Sequence, residues 1–324
     1  LGTSLSFQVR RAEPADVAGI LDLFGRVFGR AMTPAEWRWK YAENPDGGLQ
    51  IVAEAQGRIV GHYGQWPMAA WIGGRRRVVA ALGDVMTDPA FRTAGGRHNV
   101  FCGMGEEMFS RLRRDGIPFG FGFPSPRALA VGRRLLGYRE HFPVREISFP
   151  VPARASVLPE AGRPRESDRS FDELWKACRP SLASACLERD SIRANWRFRS
   201  RPDREYRVVR AGEGASGEWA VLSRVGESAL VMDYLLHPAR PDRFSRLFES
   251  LLAEAAAMGA RRLVFWEPPG GPYRALLLDL RDRIPDSSTV GAGFSFVTAV
   301  VFDEEALSAF CRDFHFTAAA YDDR

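Results

Sequence analysis

The sequence has no apolar run near the roughly 20 residues needed to span a bilayer, so no membrane-embedded segment is expected. Cysteine is scarce. Cys102, Cys178, Cys186 and Cys311 show no CxxC spacing and have no neighbouring histidine, which argues against a zinc site or any other metal centre and against a disulfide framework. Cys102 falls within an apolar helical pattern, where a buried spectator thiol is the simpler reading. Basic residues are not interleaved with aromatics on a recognisable module, so nucleic acid is not an expected partner. The first residues, LGTSLSFQVRR, lack the basic-then-apolar order of a signal peptide, and a cytoplasmic protein is expected. What is present is 45% apolar and 26% charged over 324 residues, the balance of a globular chain long enough for two domains. Its formal charge of +5 comes almost entirely from arginine, which favours an anionic ligand such as a phosphorylated cofactor.

Strand and helix signals alternate along the chain. A short strand at 7–11 precedes Glu13-Pro14-Ala15-Asp16, which opens a helix carrying Val17, Ile20, Leu21, Phe24 and Phe28 at helical spacing. A second helix is predicted over 34–42 and stops at Asn44-Pro45-Asp46-Gly47. Strands over 49–56, 59–71 and 76–87 form an antiparallel meander, separated by turns at Gln56-Gly57 and Gly73-Gly74. A helix over 95–115, a strand over 118–123, a helix over 126–136 and a strand over 138–151 follow. Residues 152–168, PARASVLPEAGRPRESD, read as a linker. Beyond it come helices at 170–178 and 186–197, strands at 206–211, 217–225 and 228–236, then helix, strand, helix and strand to about 302. The order repeats that of the first half, which predicts a duplicated α/β unit: domain one over 1–151 and domain two over 169–324.

Residues 84–97, DVMTDPAFRTAGGR, carry a strand into Asp88-Pro89 and then into Arg92-Thr93-Ala94-Gly95-Gly96-Arg97 before a helix. Consecutive backbone N–H groups at a helix N-terminus suit a compact dianion, glycines let the backbone approach it, and flanking arginines add charge. The order strand, Asp-Pro-x-x-Arg-x-x-Gly, apolar helix, strand, helix ending in Gly-aromatic resembles the GNAT superfamily of acyl-CoA N-acyltransferases, in its tandem-domain bacterial form. The resemblance covers about 7–150, from RRAEPADVAGILDLFGRVF to GFPSPRALAVGRRLLGYRE. It implies an α/β fold of two tandem GNAT-like domains, each a central mixed sheet flanked by helices. It also implies acetyl-CoA or another acyl-CoA lying between strands 76–87 and 118–123, with pantetheine amides on the backbone of Val85, Met86 and Thr87. The diphosphate would lie on Arg92, Thr93, Ala94, Gly95, Gly96 and Arg97, and Ser125 is a further candidate for cofactor binding. Arg97 stands where the family motif has a small residue. The corresponding stretch of the second half, MDYLLHPARPDRF at 232–244, has no glycine in its loop, and Pro241 removes an N–H, so that copy is expected to bind no CoA.

Direct N-acylation requires a proton acceptor for the amine, polarisation of the thioester carbonyl and a proton for the departing thiolate. Asp84 is a candidate base, directly or through water, or else pairs with a neighbouring arginine. His62 is a second candidate base, or a hydrogen-bonded structural histidine; alternation places it and Tyr63 on opposite sheet faces. The family's usual tyrosine acid maps onto Arg133, which leaves Tyr63, solvent or a catalytically silent scaffold as alternatives. Trp37 and Tyr41 share a helix face and could line an acceptor pocket or pack in the core. The resemblance points to an N-acetyltransferase acting on a small-molecule amine or amino sugar, as a monomer or homodimer. Aminoacyl transfer from tRNA, known in other tandem members, would need a broad basic groove that the scattered charge does not provide.

Overall fold

In a computed structural model the described residues are 6–92, 99–152, 169–211, 217–237, 240, 242–270 and 272–320. The expected linker at 152–168 lies outside them apart from Pro152. The elements of the first half are β1 (Gln8–Arg11), α1 (Val17–Phe28), α2 (Pro34–Trp37), β2 (Leu49–Ala55), β3 (Arg58–Ile72), β4 (Arg75–Thr87), α3 (Val100–Arg114), β5 (Phe119–Gly122), α4 (Pro126–Leu136) and β6 (Arg139–Pro150). The second half has α5 (Arg169–Leu182), β7 (Ala185–Leu187), α6 (Ser191–Ala194), β8 (Tyr206–Ala211), β9 (Glu218–Val225), β10 (Ser228–Leu235), α7 (Asp242–Ala257), β11 (Arg262–Trp266), α8 (Pro272–Arg283), β12 (Ser288–Val301), α9 (Glu304–Arg312) and β13 (Phe314–His315). Among the described residues no helix is long and apolar enough to cross a membrane.

Two compact units result. One takes in 1–69, 78–141 and 296–307, the other 70–77, 142–295 and 308–324. In the first unit the strand order is β1-β2-β3-β4-β5-β12. The strands β1, β2 and β3 are antiparallel, β4 runs parallel to β5, and Val297–Val301 closes antiparallel on β5. The second unit repeats this arrangement as β8-β9-β10-β11-β6, with β10 parallel to β11 and residues 146–150 of β6 antiparallel to it. The duplicated mixed α/β architecture is therefore present. The units are not consecutive pieces of chain, however, because the strand closing each sheet comes from the other half of the sequence. Hydrophobic pattern specifies that these segments are strands but not which sheet edge they join.

In the first unit both sheet faces are covered. On one face Val100, Met104, Met108 and Leu112 of α3 pack over Ile51, Ala53, Tyr63 and Ala80. On the other, Ile20, Leu23 and Phe24 of α1 pack over Val52, Ile59 and Met86. Each fully buried side chain of this kind contributes about 1.5–3 kcal/mol. The helix predicted over 34–42 is α2 followed by a π-helical turn, Arg38–Ala42. The wider turn buries Trp39, Lys40 and Tyr41 in succession. The helix expected over 186–197 is instead β7, α6 and a second π-helical turn, Asn195–Arg199, because Asp190 caps a new start through Arg193 N at 2.9 Å.

Candidate active site

The strands β4 and β5 are paired at Ala80–Gly120 and Ala81–Phe121 and then part, since β5 ends at Gly122 while β4 continues to Thr87. Gly122 forms the apex of this wedge: a Cβ there would lie 2.8 Å from the Leu82 carbonyl oxygen. Past the apex, residues 83–87 present a backbone edge with no β5 partner among the described residues. Val85 packs toward the α3 face and Met86 toward α1, so it is the main chain that faces the wedge. Asp88 then caps a short 3-10 turn, Pro89–Phe91, through Ala90 N at 3.0 Å, and is ion-paired with Arg26. Arg92 is exposed and donates from Nε to the Thr87 carbonyl at 3.0 Å. On the far side Asn99 caps α3 through Cys102 N at 2.9 Å. The expected diphosphate residues Thr93, Ala94, Gly95, Gly96 and Arg97 lie outside the described residues. Ser125 serves as the N-cap of α4, its hydroxyl accepting from Ala128 N at 3.3 Å.

Asp84 and His62 meet, in a cluster that sequence reasoning did not anticipate. Asp84 is the one non-glycine residue among the β4 positions with positive φ, at 48°. One carboxylate oxygen accepts from Lys40 Nζ at 2.7 Å and from the Tyr41 hydroxyl at 2.6 Å. Its carbonyl lies 2.7 Å from His62 Nδ1, which must therefore carry the hydrogen. Gln50 faces His62 Nε2 at 3.2 Å and accepts from Trp37 Nε1 at 2.9 Å. Lys40 also sits 4.3 Å from the centre of the Trp66 ring.

Burial alone would raise the Asp84 carboxyl, but the Lys40 charge and the hydrogen bonds from Lys40 and Tyr41 hold it below the ordinary carboxylate range. A carboxylate so held is a poor proton acceptor near neutrality. Burial likewise pushes His62 below the usual histidine value, against the opposing effect of the Asp84 contact, and its ring has no solvent exposure. Tyr63 is on the opposite face, as alternation requires. It is fully buried beside Phe101 and Phe109 and shares a 2.7 Å hydroxyl contact with Tyr138. Burial raises its hydroxyl well above the ordinary tyrosine range, so it holds its proton tightly. Arg133 projects from α4 into an ion pair with Glu140 at 2.5 Å.

Lys40, missed in the sequence, and Tyr41, read there only as a pocket or core residue, do carry a signal for this cluster. WKYAENPD at 39–46 matches WRFRSRPD at 196–203, and both stretches include a π-helical turn. DVMTDPA at 84–90 likewise matches DYLLHPA at 233–239, so Asp233 is the counterpart of Asp84. Asp233 accepts from Arg189 Nε at 2.9 Å and from Thr317 at 3.0 Å, next to a register shift in β10. The wedge of the second unit is filled. Its β10–β11 register ends at Leu230–Val264, and beyond that Tyr234 packs on Phe265, Tyr273 and His315. The Tyr273 hydroxyl donates to the Leu236 carbonyl and accepts from the Leu236 N–H at 3.2 Å. Leu236 is the counterpart of Thr87.

Residues 8–135 match the family described as Acetyltransferase (GNAT) domain. No curated sequence relative matches. Among solved structures, a probable N-acyltransferase from Enterococcus faecalis is similar over 90% of this chain and 72% of its own, with a TM-score of 0.64 and 12% identity. A GCN5-related N-acetyltransferase from Kribbella flavida covers 91% and 71%, with a TM-score of 0.61 and 17% identity. The N-myristoyltransferase of Saccharomyces cerevisiae, solved with myristoyl-CoA bound, covers 94% and 84% with a TM-score of 0.58 and 10% identity. At such identities the structures establish likeness of fold, and the family match concerns residues 8–135. Residues 8–135 thus match a GNAT acetyltransferase domain, and the fold of the chain is that of the N-acyltransferase structures it resembles.

Proposed function

We propose that the protein transfers an acyl group, acetyl in the first instance, from acyl-CoA to the amine of a small metabolite or amino sugar. The observation that carries this reading is the backbone edge of β4 over 83–87, which has no β5 partner among the described residues. That edge fits a pantetheine arm, whose amides would pair with Val85, Met86 and Thr87 much as an added strand would. Arg92 and the loop through Arg97 would carry the diphosphate at the N-terminal side of α3. The acyl thioester would then lie near Asp84.

In the reaction, the amine nitrogen forms a bond to the carbonyl carbon and the carbon–sulfur bond breaks. The electrostatics of Asp84 and the burial of His62 and Tyr63 favour water as the immediate acceptor of the amine proton. With Arg133 at the position of the family's tyrosine, water is also the simplest source of the thiol proton. Tyr273 argues for one site per chain, since it occupies the N–H and C=O of Leu236 that a second pantetheine arm would need.

The experiment is release of free thiol from acetyl-CoA across a panel of amines, repeated with longer acyl chains. Amine-dependent thiol release is expected, greatest with acetyl-CoA. Absence of any binding at millimolar acetyl-CoA would remove the proposal.

A further inference from the structure

We propose that Lys40, Tyr41 and His62 are positioning residues: they fix the peptide between Asp84 and Val85 so that the Val85 N–H is offered to the thioester oxygen. The inference rests on acyl-CoA lying along β4 as proposed above.

A residue with a side chain does not adopt φ near +48° in a strand without support, although aspartate tolerates it better than most. Here three groups hold it. Lys40 and Tyr41 take the carboxylate, and His62 takes the carbonyl. Because the peptide is trans, a carbonyl drawn toward His62 sends the Val85 N–H the opposite way. His62 stands on β3, and the strand order puts β3 and β5 on opposite sides of β4, so the opposite way is the side of the wedge.

The surroundings are shaped to this arrangement. A Cβ on Gly64 would overlap the Tyr41 hydroxyl, and one on Gly83 would lie 2.8 Å from the Trp66 ring under Lys40. A buried Lys–Asp pair is also costly to desolvate and is seldom the most stable way to fill such space. The second unit sharpens the point. Asp233 is buried and ion-paired too, yet it does not share the positive φ, and its wedge is filled by Tyr234 and Tyr273. The left-handed residue occurs in the copy whose strand edge past Ala81 has no β5 partner among the described residues.

The test uses acetyl-CoA labelled with carbon-13 at the thioester carbonyl, bound to the full chain and read by isotope-edited infrared spectroscopy. In the native protein the carbonyl stretch should fall relative to free acetyl-CoA. Tyr41→Phe and His62→Gln should lose most of that shift while the Kd stays within about threefold. The kcat with the best amine of the panel should fall at least about tenfold with little change in KM, a part of the roughly 10²–10³ that one oxyanion donor supplies. Tyr41→Phe removes a single oxygen and keeps the test open should Lys40→Met fail to fold. A native shift that survives Tyr41→Phe and His62→Gln overturns the inference, as does native binding with no shift. If the native protein binds no acetyl-CoA, the functional reading itself falls, an outcome distinct from either of these.

Discussion

Asp84 combines a left-handed backbone, a buried charge and three hydrogen bonds, and only its position could be read from the sequence. The partners were hidden because they come from a π-helical turn more than 40 residues earlier in the chain. A regular helix over 34–42 would have turned Lys40 elsewhere. Breaking a buried ion pair by removing one partner costs about 3–5 kcal/mol. Lys40→Met should therefore lower the urea unfolding free energy by that order, and adding Asp84→Asn should recover part of the loss. A loss of zero for Lys40→Met would show that the pair is not buried as described. Acid stability gives a second prediction at this scale. Burial depresses both His62 and His315 below their unfolded value of 6.5, so below that pH the unfolded chain binds protons that the folded chain resists. Their contribution to stability is thus present above pH 6.5 and declines as pH falls toward the depressed folded values. His315→Asn should flatten the drop in melting temperature between pH 7 and 5; an unchanged slope would contradict this.

Among the elements, the meander, the phosphate-loop strand and α3 to α4 were legible because alternating and helical apolar spacing fixed them within a few residues. Two features were not. The first is the exchange of closing strands, with 142–150 of β6 in one unit and 296–301 of β12 in the other, since a strand's pattern does not name its neighbour. The second is the wedge, which depends on where β5 stops relative to β4. Gly122 sets that point. Gly122→Ala would drive a methyl against the Leu82 carbonyl, a backbone atom that cannot swing away. A stability loss of about 1–3 kcal/mol is expected, with weaker acetyl-CoA binding. Calorimetry and chemical denaturation measure both, and full retention of stability and affinity would mean the apex is looser than described.

At the scale of the whole molecule, duplication has yielded two units of like topology and unlike wedges. The loop composition of the second half, without a glycine and with Pro241, gave only the expectation that this copy binds no CoA, and Pro241 lies outside the described residues. The means by which its wedge is filled was not legible, because Tyr273 is separated from Leu236 by 37 positions and meets it only through tertiary folding. The asymmetry between the wedges makes a quantitative demand on cofactor binding. The most direct measurement is calorimetric titration of the full chain with acetyl-CoA. The account predicts one site per chain, weakened in Arg92→Ala and retained at the same stoichiometry in Tyr273→Phe. Two equivalent sites, or a titration with no heat and no competition against labelled CoA, would contradict it.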